Sequence, residues 1–240
     1  NLFKTFSSKK IKSIKFPKIS FNESMLKYGT DKPDLRNPLT ISDLTECFVD
    51  SGFKIFENNI KNGQVVKGIR APGSSNRPRT WFDKLNNWAR DQGQKGLGYI
   101  IFSEGEFKGP IANNLKKESL EQIQINCQLS EGDAVFFISD SEIEALRFAS
   151  NVRKELCNQL NLLKKDVYEF CWIIDFPMFE IDPSTNKLDF SHNPFSMPQG
   201  GMDSLRHKDP LEILAWQFDI VCNGIELSSG AIRNHKPEIM

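Results

Sequence analysis

Between residues 37 and 163 the hydrophobic pattern keeps switching period, and that constrains the fold more than anything else in the chain. Val65 to Ile69 reads as a strand running into the loop Ala71-Pro72-Gly73-Ser74-Ser75. Arg79 to Ala89 reads as a helix, Leu97 to Phe102 as a strand and Leu115 to Ile125 as a helix. Ala134-Val-Phe-Phe-Ile138 is an unbroken apolar strand. After it, Ala145, Leu146, Ala149, Val152, Leu156 and Leu160 fall on one face of the longest helix. Ser42 to Phe48 predicts a further short helix with Ser42 as its N-cap. A segment that alternates strand and helix and carries its own apolar residues is a compact α/β unit.

Residues 28–38, rich in Gly, Pro, Asp and Asn, form the polar connector on its N-terminal side. The last third reads as sheet, much of it antiparallel. Phe170 to Phe176 is a nearly continuous apolar run ending at Pro177, which predicts a strand buried on both faces. Asp209-Pro210 predicts a helix or turn start. Phe218 to Leu227 alternates and breaks at Gly224, and Ile232 to His235 resumes after Ser228-Ser229-Gly230.

Composition removes several classes of function. Lys+Arg and Asp+Glu both total 31, which excludes a globally basic nucleic-acid binder. A local patch remains open, because residues 1–18 carry Lys4, Lys9, Lys10, Lys12, Lys15 and Lys18 with no acid before Glu23. That stretch is a solvated face or a phosphate contact. No apolar run approaches the ~20 residues of a membrane helix. Cys47, Cys127, Cys157, Cys171 and Cys222 are scattered and odd in number, so reduced core thiols are expected rather than a disulfide frame or zinc site.

Four positions have the right chemistry for a site. Asp175, amid Trp172, Ile174 and Phe176, is a structural acceptor or part of a polar site. His192, held extended by Asn193-Pro194, is a hydrogen-bonding corner or a ligand for a small polar substrate. Glu226 and Arg233 are either two solvated charges on a strand or an anion site. In the second case Arg233 takes a carboxylate or phosphate and a cation bridges Glu226. Their separation of seven puts them on opposite faces of a regular strand, so a shared site requires a bulge or bend at Ser228-Ser229-Gly230. P-loop, dinucleotide-fingerprint, H-E-x-x-H and G-x-S-x-G motifs are all missing.

Four stretches, in order, resemble bacterial-type aspartyl-tRNA synthetases of class II. They are Tyr28-Gly-Thr-Asp-Lys-Pro-Asp-Leu-Arg36, Trp172-Ile-Ile-Asp-Phe-Pro-Met-Phe-Glu180, His192-Asn-Pro-Phe-Ser-Met-Pro198 and Phe218-Asp-Ile-Val-Cys-Asn-Gly-Ile-Glu-Leu-Ser-Ser-Gly-Ala-Ile-Arg233. The resemblance implies an α+β fold: antiparallel catalytic-domain pieces at 1–36 and 164–240, and an inserted α/β GAD domain at 37–163. It implies an internal fragment, lying between class II motifs 2 and 3 and inactive alone. The activity implied is ATP-dependent activation of L-aspartate and its transfer to tRNA(Asp), with tRNA(Asn) left open. The alternative is a non-catalytic GAD-type tRNA-binding module related to tRNA-dependent amidotransferases. By the resemblance, His192 and Arg233 contact L-aspartate and Glu226 binds ATP through Mg2+. Arg233 and Glu226 are then the catalytic pair, in a cytoplasmic homodimeric enzyme with no membrane partner. The sequence departs from the family at Asn193, where a second His is usual, and at Ser228-Ser229, where a Gly pair is usual.

Overall fold

A computed structural model of the chain describes residues 2–182 and 184–240. By its contacts the chain divides into two compact units. One comprises the chain up to Met25, Asp31–Arg36 and Lys164–Met240, and the other Leu26–Thr30 and Asn37–Leu163. The first elements are α1 (Leu2–Phe6), β1 (Lys10–Ile11), β2 (Lys18–Ser20) and α2 (Phe21–Tyr28).

The unit around 37–163 contains β3 (Ile41–Asp43), α3 (Lys54–Lys61), β4 (Val65–Ala71), α4 (Arg79–Asp91) and β5 (Gly98–Ser103). It continues through β6 (Glu106–Lys108), α5 (Lys117–Cys127), β7 (Asp133–Asp140) and α6 (Glu142–Gln159). Its five strands lie in the order β3-β4-β7-β5-β6, and every neighbouring pair is antiparallel. Strand and helix alternate as expected from the hydrophobic period, but the sheet is antiparallel, so α+β describes it better than parallel α/β.

Helices cover both faces of this sheet, which is why β7 is apolar without alternation. Phe136 packs with Phe82, Leu85 and the α6 residues Ala149 and Val152. Phe137 points to the other side, among Phe48, Ile123 and Cys127. The short helix expected from Ser42 is not formed. Ser42 pairs with Gly68 in the β3–β4 ladder, and a 3-10 turn begins only at Glu46–Phe48. The Asp43 carboxylate accepts from the Thr45 backbone N–H at 2.9 Å and turns the chain there. Edge pairing with β4 overrides the local helical pattern.

The polar connector is tied down by one buried side chain. Arg153 of α6 donates from Nε to the Leu39 carbonyl (2.7 Å) and from Nη1 to the Tyr28 carbonyl (2.9 Å). Its guanidinium lies 5.0 Å from the Tyr28 ring centroid. Gly29 adopts φ +68°, and a Cβ there would sit 2.3 Å from the Leu146 carbonyl oxygen, so only glycine fits.

The remaining elements belong to the other unit. They are β8 (Val167–Tyr168), β9 (Phe170–Pro177), β10 (Phe179–Ile181), β11 (Leu188–Phe190), α7 (Gly201–His207), β12 (Leu214–Cys222) and β13 (Ile225–Ala231). The main sheet runs β13-β12-β9-β2, antiparallel except for the parallel β2–β9 pair. β1 pairs in parallel with β8, and β10 with β11 as a hairpin. In the run Phe170–Phe176, Phe170, Cys171, Ile173 and Phe176 are buried, whereas Trp172 and Ile174 are only half-buried. With Trp216 and Phe218 they line an open groove of about 400 Å³. Asp209 does start a 3-10 turn, accepting from the Leu211 N–H.

All five cysteines are buried and none forms a disulfide, as expected. Among the described residues, no helix is long and apolar enough to cross a membrane.

Candidate active site

β12 and β13 join through the two-residue loop Asn223-Gly224, with φ +53° and +81°, the left-handed pair that a tight hairpin needs. Next to this turn the ladder slips. Val221 faces Glu226, yet Ile220 faces Ser228, so Leu227 is an extra residue on β13. The odd separation of Glu226 and Arg233 thereby becomes an even number of ladder steps, and the register puts both on one face. The irregularity is not at Ser228-Ser229-Gly230, where the sequence pattern suggests it. Those three stay in the ladder opposite Ile220, Asp219 and Phe218. Gly230 is needed for space, since a Cβ there would lie 2.8 Å from the Phe218 ring.

The backbone on either side of Arg233 is held firmly. Arg233 bridges to Ser196. Met197 donates to the Ile232 carbonyl at 2.8 Å, and Asn234 to the Phe195 carbonyl at 2.7 Å. The Arg233 side chain itself is exposed, so the fold fixes its root and leaves its guanidinium open to a ligand.

Glu226 belongs to a compact charged cluster. The Lys32 ammonium lies 3.3 Å from its carboxylate and 2.5 Å from that of Asp31. Burial works against the charge on Lys32, but hydrogen bonds and attraction from Asp31 and Glu226 outweigh it and raise its pKa. On β12, Asp219 is buried directly opposite Ser229. Burial pushes its carboxyl up, the Ser229 hydroxyl opposes this, and the negative charge of Glu226 adds to the rise. Its Oδ1 has no hydrogen-bond partner among the described residues. Nearby, Asp34 takes a two-point contact from Arg36, at 2.9 Å from Nε and 2.7 Å from Nη2. Asp34 also packs against Gly224 of the hairpin.

Asp31, Lys32 and Asp219 share this charged cluster with Glu226, and the sequence alone does not single them out. The only available signal is the charge alternation in Asp31-Lys-Pro-Asp-Leu-Arg36, which also reads as an ordinary connector. Asp219 and Glu226 offer the hard oxygen donors that Mg2+ takes, and the orphaned Oδ1 is an acceptor waiting for such a partner. Among the described residues, no group of three or more His, Cys, Asp and Glu forms a closed metal cage.

His192 is positioned by a different route. Its Nδ1 is 2.8 Å from Ser191 Oγ, which in turn donates to Glu180 at 3.0 Å. The ring stands edge-on to Phe176 and Phe21, with centroids 4.9 and 5.6 Å away. Asn193 builds the following turn. Its side chain accepts from the Phe195 N–H, and its carbonyl from the Ser196 N–H. That turn delivers Ser196 to the bridge with Arg233. The fold thus links His192 to Arg233 through four residues of backbone, while no hydrogen bond or ion pair joins His192, Glu226 and Arg233 directly among the described residues. Asp175, at φ +58° in β9, accepts from Gln199 Nε2 at 2.8 Å.

Over residues 1–240 the sequence matches the family of tRNA synthetases class II (D, K and N). The chain belongs to that family. It is 58% identical over 225 residues to the aspartate--tRNA(Asp/Asn) ligase of Paramagnetospirillum magneticum, covering 94% of this chain and 26% of that protein. To the ligase of the same name from Rickettsia bellii it is 54% identical over 244 residues, the whole of this chain and 40% of that protein. The Acidiphilium cryptum protein of that name is 56% identical over 225 residues, 94% of this chain and 38% of its own length. The chain therefore spans well under half the length of these relatives.

Proposed function

We propose that this class II synthetase chain is the aspartate-binding part of an aspartate--tRNA ligase that charges both tRNA(Asp) and tRNA(Asn). The observation that carries the reading is the bulge at Leu227, which puts Glu226 on the Arg233 face of the sheet beside Asp219. In this reading residues 37–163 are the GAD insertion domain, and 1–36 with 164–240 belong to the catalytic domain. The contact units support that division except at Leu26–Thr30, which group with 37–163. The whole enzyme is a cytoplasmic homodimer.

The reaction has two steps. The α-carboxylate of aspartate attacks the α-phosphate of ATP in line, giving aspartyl-adenylate and pyrophosphate. A hydroxyl of the terminal ribose of tRNA then attacks the aspartyl carbonyl, forming the ester and releasing AMP as the anhydride bond breaks. Arg233, rooted in paired backbone, takes the side-chain carboxylate of aspartate as a charge-assisted two-point contact. Asparagine offers no anion there and leaves a cation without its partner, which disfavours it by selective loss rather than by size. His192, set by Ser191 and Glu180, hydrogen-bonds the same substrate. Asp219 and Glu226 would hold Mg2+, which would neutralise phosphate charge when bound. Lys32 offsets part of the negative charge of Asp31 and Glu226. Catalysis in this chain is positioning plus fixed charge.

The test uses the full-length enzyme. Aspartate, and not asparagine, is expected to drive exchange of pyrophosphate into ATP, and transcripts of both tRNAs are expected to accept aspartate. The isolated 240-residue chain is expected to support no exchange. Equal exchange with asparagine, or none with aspartate, would remove the assignment.

A further inference from the structure

The lysine-rich start of the chain, which the site above does not use, is drawn into a patch by the fold. β1 pairs in parallel with β8, with Lys10 opposite Val167. The Lys10 N–H donates to the Asp166 carbonyl at 3.3 Å, and that of Lys12 to the Tyr168 carbonyl at 3.1 Å. Paired strands lie about 4.8 Å apart. Lys9, Lys10 and Lys12 therefore run alongside Lys164 and Lys165, more than 150 positions away in the sequence, and all five are exposed. Only part of this charge is balanced. Lys12 pairs with the buried Glu169 at 2.8 Å, and Lys9 lies 5.8 Å from the Tyr168 ring centroid. Among the described residues, Lys10, Lys15, Lys164 and Lys165 have no ion pair.

Like charges this close are within one screening length, about 10 Å at 0.1 M salt, and they repel. A chain with zero formal net charge that gathers six lysines in and beside one paired element, against the two acids Asp166 and Glu169 there, carries a local field suited to a polyanion. We infer that the β1–β8 lysines form a contact surface for the phosphate backbone of tRNA. The inference rests on the reading of the chain as part of a tRNA ligase. An anionic membrane fits less well. Lys10 lies in the paired strand β1 and the other lysines in non-helical segments beside β1 and β8, not on an amphipathic helix, and α1 has only five residues.

The experiment uses the full-length enzyme with Lys10, Lys15, Lys164 and Lys165 changed to Gln. A control carries Lys61, Lys84 and Lys95, which lie in the other unit, changed to Gln. Binding of a fluorescent tRNA(Asp) transcript is followed by anisotropy over a salt series. The expected result for the first variant is weaker binding, by tenfold or more at about 0.1 M salt, with the log–log salt slope reduced by up to about 0.9 per lysine removed. The control keeps the wild-type slope. Arginine at the same four positions keeps both slope and affinity, because charge and not lysine itself is what the surface supplies. Aspartate-dependent pyrophosphate exchange stays at the wild-type rate in all three variants, so a failure of the activation reading shows there and not in the slope. An unchanged slope in the Gln variant, an equal loss in the control, or an equal loss with arginine overturns the inference. So does loss of binding to phosphatidylserine–phosphatidylcholine vesicles with tRNA affinity intact, which would assign the patch to a membrane.

Discussion

Asp219 shows what the site demands of individual residues. It is buried and lacks a partner for one oxygen. Its pKa lies above the ordinary 3.8, through burial first and then the charge of Glu226. From 3.8 up through the raised value the native chain holds a proton that the unfolded chain has lost. Stability from this group is thus full below 3.8 and falls as pH rises through the native value. Asp219→Asn keeps the shape and removes the titration. In urea denaturation it should gain on the wild type as pH rises above 3.8 through the raised native value; a difference that stays constant with pH would contradict this. Asp219 is not legible as a site residue, because nothing in Phe218-Asp-Ile-Val distinguishes a buried carboxylate facing a partner strand from an outward one. Lys32 is hidden differently. Its turn-rich surroundings announce a connector, and only tertiary folding shows that the connector's charges lie against the β12–β13 hairpin. The cysteines are legible, since scattered thiols in apolar runs have few other uses.

At the scale of elements, the strands and long helices follow from period, and their pairing does not. Phe136 and Phe137 are adjacent and both apolar, which fixes β7 as covered on both sides. Phe170–Phe176 looks the same in sequence, yet Trp172 and Ile174 stay half-buried between the buried Phe170 and Phe176, because an apolar run states a preference and not a neighbour. The bulge is half legible. Parity requires one irregularity between Glu226 and Arg233, but Leu227 carries no local mark, and the conspicuous Gly230 serves another need. That need is testable. Gly230→Ala places a methyl 2.8 Å from the Phe218 ring, and such overpacking costs about 1–3 kcal/mol. The urea midpoint should fall accordingly. A stability equal to wild type would show that Phe218 moves aside freely, and that the sheet does not depend on a bare backbone at position 230.

For the whole molecule, the family match over residues 1–240 and the bulged hairpin support one reading: a strand that carries Glu226 and Arg233 on one face, each for a different part of the substrates. The central claim is that Arg233 selects aspartate through its carboxylate. Losing one partner of such a charge pair costs about 2–5 kcal/mol, or roughly 30-fold and upward in the constant that depends on it. The most direct measurement is steady-state pyrophosphate exchange by the full-length enzyme carrying Arg233→Ala, with aspartate and ATP varied separately. If Arg233 holds the substrate carboxylate, kcat/KM for aspartate falls by roughly 30-fold or more while the KM for ATP changes little. Aspartate kinetics equal to wild type, or a loss confined to ATP, would contradict that role.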